Sequence, residues 1–189
     1  MLRPIMTLTA LAATTACVSP AAPTISASDV DRAYAEARSI SGLPFTPTES
    51  LPRGSVTYRG QLGADVSGDV EGAILGDMRM TVRFADDVVG GDVSNINLID
   101  ESGRPDQRLD GALLIDGYES AGRIDAFASG NLQAVDDSGQ IADSDVLLIL
   151  DGDVHSDRYN GDAVFGSATG SGTGDLEMDI DGVFFGRAN

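Results

Sequence analysis

From Gly54 onward, apolar and polar residues alternate with a period of two. Val56 and Tyr58 interleave with Ser55, Thr57 and Arg59, and Met78, Met80, Val82 and Phe84 interleave with Arg79, Thr81 and Arg83. Near the C-terminal end, Leu176, Met178, Ile180 and Phe184 interleave with Asp175, Glu177, Asp179 and Asp181. Successive side chains on a strand point to opposite faces, so each run predicts a strand with one face in a core and one in water. The stretches Val88–Ile99, Leu109–Gly117, Arg123–Val135 and Val146–Val154 add β-branched and aliphatic residues. Breaks are expected at Asp86-Asp87, Asp116-Gly117, Asp136-Asp137-Ser138-Gly139 and Asn160-Gly161, where turn-forming residues cluster. The pattern predicts an all-β domain over residues 53–189: a single eight-stranded antiparallel up-and-down β-barrel, a closure that removes open sheet edges. Asp, Glu and Arg occupy mid-strand positions on the non-core face, which argues against a barrel wall bathed in lipid.

Residues 17–52 read differently. Val18-Ser19-Pro20-Ala21-Ala22-Pro23-Thr24 is small and Pro-rich, as an extended tether is. Ser28 or Asp29 is placed to cap a short helix through Arg38, with Val30, Ala33, Tyr34 and Ala37 on one side and Gly42 closing it. The expectation is a flexible leash whose helix packs loosely on the barrel.

Ahead of this lies a leader over residues 1–16. Arg3 supplies a positive charge, Ile5 to Ala13 an apolar run, and Thr14-Thr15-Ala16 a small-residue exit, the layout of a secretory signal peptide. The run is too short to span a bilayer, which needs about 20 residues. Cys17, the single cysteine, follows immediately and resembles the lipidated cysteine of a bacterial lipobox, although Thr14 stands where leucine is usual. Lipidation of Cys17, with a palmitate-type acyl chain among the anchors, predicts a protein held to the Gram-negative outer membrane, on its outer or periplasmic face. With Cys17 so used, no intrachain disulfide is possible.

Charge narrows the partners. The 189 residues carry 30 acidic and 12 basic side chains, a formal charge of −18, and every basic residue is arginine. Nucleic acid and anionic lipid both require clustered positive charge, so neither is an expected electrostatic partner. The chemistry-bearing residues are few. The sole histidine, His155, lies in Asp151-Gly152-Asp153-Val154-His155-Ser156-Asp157, which reads as a strand end and turn. Pairing it with Asp153 or Asp157 and a distant serine would be required for a triad. No nucleophile elbow, phosphate loop or zinc spacing occurs. Asp151, Asp153, Ser156 and Asp157, with Asp143 and Asp145, offer hard oxygens to calcium but lack EF-hand spacing. The expectation is a non-enzymatic protein with no catalytic residues, cofactor or metal.

One family comes into view in the last strand. Gly182-Val183-Phe184-Phe185-Gly186 resembles the closing strand of barrels in the transferrin-binding protein B family. Met78-Arg79-Met80-Thr81-Val82-Arg83-Phe84 followed by Val88-Val89-Gly90-Gly91-Asp92-Val93-Ser94-Asn95 is similar to an earlier hairpin of those barrels. The resemblance implies a surface lipoprotein built as one barrel lobe, without the handle domain that accompanies it in full receptors; transferrin binding is not implied. Under this reading a protein partner meets loops expected at Leu62–Leu75, Asp100–Arg108 and Gly166–Gly174. The alternative is a periplasmic, lipocalin-like carrier of a small apolar ligand, with Met78, Met80 and Met178 as an adaptable lining.

Overall fold

A computed structural model describes residues 19–136 and 139–189. The leader and Cys17 lie outside the described residues.

The alternation becomes a closed barrel. Its eight staves are β1 (Ser55–Gly68), β2 (Gly72–Arg83), β3 (Val88–Ile99), β6 (Leu113–Ser120), β7 (Arg123–Val135), β8 (Ile141–Asp157), β9 (Gly161–Gly174) and β10 (Met178–Ala188). All pairings are antiparallel between sequence neighbours, and β1 pairs with β10 from Tyr58↔Ala188 to Gly68↔Met178 to close the wall. Two short strands, β4 (Pro105–Arg108) and β5 (Asp110–Gly111), lie between β3 and β6; they pair with β3 and β7 where the short β6 leaves both without a neighbour.

The apolar face points inward. Tyr58, Leu62, Met78, Met80, Val82, Leu148, Ile180 and Phe184 are buried in one core inside the wall, while Arg79, Arg83, Asp179 and Asp181 face outward. A bulge in the β2–β3 ladder between Leu75 and Asp77 shifts the register. Beyond it, Ile96 and Leu98 fill the barrel while Leu75 and Ile99 turn outward into a second cluster.

That second cluster lies under α1 (Ala27–Ser41), capped at Ser26, two residues before Ser28 and three before Asp29, the caps the sequence suggested, and continuing past Arg38 to Ser41. The Asp29 carboxylate accepts hydrogen bonds from the Ser26 backbone N–H at 2.8 Å and hydroxyl at 2.6 Å, holding the first turn. Ala33 and Ile40 bury against Leu75, Ala163 and Phe185 on the outer wall. Strict alternation therefore fails in β10 for a physical reason: Phe184 faces the barrel core and Phe185 the helix, so both neighbours are buried.

The leash reading is corrected for the described residues. Arg108 N–H donates to the Ala21 carbonyl at 2.9 Å and Thr24 N–H to Asn97 Oδ1 at 2.8 Å, at one end of the barrel. At the other end β8 runs past the start of β7, and Pro44 to Thr46 take the vacated place beside it: Ser156 N–H donates to the Pro44 carbonyl and Thr46 N–H to the Val154 carbonyl, both at 2.9 Å. Residues 21–46 thus form a strap clipped at both ends, with a helix about 22 Å long between the clips.

Three further expectations change. Leu62–Leu75 is a hairpin whose connection is only residues 69–71, and Gly166–Gly174 is the body of β9, so neither is a free loop. Asp116-Gly117 sits inside β6 rather than at a break.

Candidate functional site

His155 is a buried strand residue, not a solvated turn residue. It is 4% exposed, with its ring 5.0 Å from that of Phe45 and edge-on to Phe165 at 6.3 Å between centroids. Its Nδ1–H donates to the Leu43 carbonyl at 2.9 Å, so its visible work is to fasten the strap onto β8. The neighbouring carboxylates are committed elsewhere. Asp151 accepts from Arg123 at 2.6 Å, and Asp157 from Arg187 and from the Asn160 amide, at 2.8 and 2.9 Å. The Asn160 amide, the Tyr159 N–H and Arg187 hold the Asp157 carboxyl down to about 2. Asp143 and Asp145 share the Asn131 amide. Set along one extended strand, Asp151, Asp153 and Asp157 spread rather than converge, and among the described residues no three acidic, histidine or cysteine side chains gather as a metal site.

The barrel interior holds side chains. A cavity of about 20 Å³ at one end, bounded by Val66, Ile74, Leu98, Leu132 and Met178, has room for roughly one water. Met78 and Met80 sit in the packed core and line none of it. At the opposite end Glu119 points inward, buried, and accepts a hydrogen bond from Gly122 N–H in the tight β6–β7 turn. The Tyr58 hydroxyl is buried close by without a hydrogen-bond partner among the described residues. Burial raises the pKa of this hydroxyl above the ordinary tyrosine value, and the charges of Asp162 and Glu119 push the same way.

The outer wall is uneven. On the β6–β7–β8 side, Leu114 is 66% exposed, Phe127 53%, Leu147 53% and Ile149 54%. Phe127 stands directly opposite Ile149, and Leu147 and Leu114 flank Ser129 in the next row, so the four form one apolar patch. Directly opposed residues on neighbouring strands lie about 5 Å apart, close enough for such side chains to pack. Here the alternation gives way to unbroken apolar runs, Leu113–Ile115, Ala126–Ala128 and Val146–Leu150, so both faces of these strands are apolar, which was the signal available for this surface. On the opposite side, α1 covers β9 and β10 but leaves an open groove of about 780 Å³ beside β1 and β2. The structure thus brings together none of the sequence's candidate catalytic or calcium residues into a reactive constellation, and it presents two apolar surfaces outside the barrel.

Comparison with family models, with curated proteins and with solved structures finds no match.

Proposed function

We propose that this is a non-enzymatic binding protein, lipid-anchored through Cys17 at the outer membrane, whose barrel is a rigid scaffold and whose recognition surface is its outer wall. The observation that carries the reading is the apolar patch of Leu114, Phe127, Leu147 and Ile149 on a barrel already filled inside. Contiguous apolar surface rimmed by charge on a soluble domain marks an interaction site. The carrier alternative needs an interior several hundred Å³ in volume, whereas the cavity among the core residues is about 20 Å³. The leader, Cys17 and the resemblance of the Gly182–Gly186 segment to barrel-lobe lipoproteins support an envelope address. Partner contact is assigned to the wall rather than to Leu62–Leu75 or Gly166–Gly174, which are strands.

The test follows the chain in cells. Palmitate label should enter the wild-type protein and be absent from Cys17→Ser, and membrane fractions should hold only the first; label persisting in the variant would remove the anchor. Site-specific photo-crosslinkers at Phe127 and Ile149 should then capture one discrete partner that a probe at Asp179 misses. Equal capture from all three positions would end the assignment to this wall.

A further inference from the structure

The groove beside α1 has a composition that points to a ligand. Its apolar banks are Val30, Ala33 and Ala37 on the helix facing Ala73, Leu75 and Val183 on the strands. Small side chains on both banks keep it open: a Cβ added at Gly63, on its floor, would meet only the Leu75 side chain, at 3.4 Å, and the Ile74 carbonyl, at 3.9 Å. Tyr34 stands over the edge, exposed on the helix. Among the described residues, every charged side chain on its rim is acidic: Asp65, Glu71, Asp100, Glu101 and Asp181 border the groove, and no arginine or histidine does. Asp100 is already engaged by Ser102 and Arg104. The other four form no salt bridge among the described residues.

Two of those four are set against each other. Asp65 on β1 is the direct cross-strand partner of Asp181 on β10, and both side chains project from the outer face into the groove. Like charges placed directly opposite destabilise a sheet, so this arrangement carries a standing cost that a cation between them would remove. The groove's volume lies within the range of small-molecule sites, which combine apolar walls with a few polar groups that fix orientation.

We propose that this groove binds a small amphipathic organic cation, an alkyl or aryl body carrying an ammonium or guanidinium group, with the body along α1 and the charge between Asp65 and Asp181. The site requires neither the Cys17 anchor nor a partner on the β6–β8 wall, so it stands or falls separately from both.

Calorimetric titration of the full chain in about 0.15 M salt, where long-range attraction to an acidic protein is screened, tests this with decyltrimethylammonium, decanol and decanoate below their micelle thresholds. One saturable site for the cation is expected, with neither comparator binding. The double variant Asp65→Asn/Asp181→Asn should weaken it about tenfold or more, while Asp145→Asn on the opposite wall leaves it unchanged. Ala73→Phe, which fills the groove without altering charge, should abolish it. The double variant relieves a repulsion, so its melting temperature should not fall, which separates lost binding from lost folding. Equal binding of all three probes, or equal weakening by Asp145→Asn, would overturn the proposal. Binding of a basic amphipathic peptide with no binding of the small cation would overturn it too.

Discussion

Phe184 on β10 stands directly opposite Gly166 on β9, and its ring occupies the space that a side chain at Gly166 would need. A Cβ at Gly166 would lie 2.5 Å from the ring's Cε1, and one at Gly152, the next strand over, 2.6 Å from its Cζ. Phe184→Ala should therefore cost about 3–5 kcal/mol, the usual result of emptying a core aromatic site. Gly166→Ala should cost about 1–3 kcal/mol by overpacking. Part of that second cost comes from the ring and should vanish in the Phe184→Ala background; the part owed to the Asp151 carbonyl, 2.4 Å from the added atom, should remain. Urea unfolding of both single variants and the double variant reads the coupling. Strict additivity would show that the ring and the glycine do not share this space.

The strap makes a prediction of its own. Ile40 is fully buried between α1 and the wall, so Ile40→Ala should destabilise by about 2–5 kcal/mol. Amide exchange in α1 should accelerate selectively, because a helix lacking its packed face is marginal in water. Unchanged exchange would restore the picture of a leash independent of the barrel.

Acid stability should depend on Asp157. Its carboxyl is held down to about 2 by the Asn160 amide first, then by the Tyr159 N–H and Arg187. The folded value lies below the roughly 3.9 of an unfolded aspartate. Its stabilisation is thus fully present above about pH 4 and disappears as the pH falls toward 2. Asp29, held down to about 2 chiefly by the Ser26 hydroxyl, behaves alike. Asp157→Asn should flatten the fall of melting temperature between pH 4 and 2, and an unaltered slope would contradict the assignment.

Net charge sets the response to salt. With a formal charge of −18, the folded state repels itself. Raising sodium chloride from about 0.01 to 0.15 M shortens the screening length from roughly 30 to 8 Å, and the melting temperature should rise. A fall would mean that the arginine pairs, such as Arg123–Asp151 and Arg187–Asp157, contribute more than the repulsion costs.

The barrel was legible in the sequence where a strand's inner and outer positions differed in polarity. Met78, Met80, Met178 and Ile180 declared their faces without help. Asp151–Asp157 did not, because its glycine and aspartates resemble a turn. In the fold the aspartates lie on the outer face of β8, Asp151 exposed and Asp157 largely covered beside Arg187, and Gly152 is small to admit a ring from β10, two strands away. Gly166–Gly174 misled in the same way. Its inward positions are glycine and alanine, so the apolar half of the alternation is nearly silent. The strap was invisible for another reason: the contact between His155 and Leu43 joins positions 112 apart, and no local pattern encodes it. The same holds for Asp65 and Asp181, whose opposition exists only once the first and last strands meet.

That meeting of first and last strands has a consequence for how the barrel is specified. β1 and β10 pair over eleven register positions, and Asn189 N–H donates to the Thr57 carbonyl at 3.1 Å, so Asn189 lies beside the opening stave. The seam is hydrogen-bonded like every other junction in the wall. A circular permutant opened in the turn at residues 84–87, with Asn189 joined to the strap's first residue by a linker, would contain every pairing described above. The ring of staves is thus defined by who neighbours whom, and the order of synthesis is one of several ways of writing it.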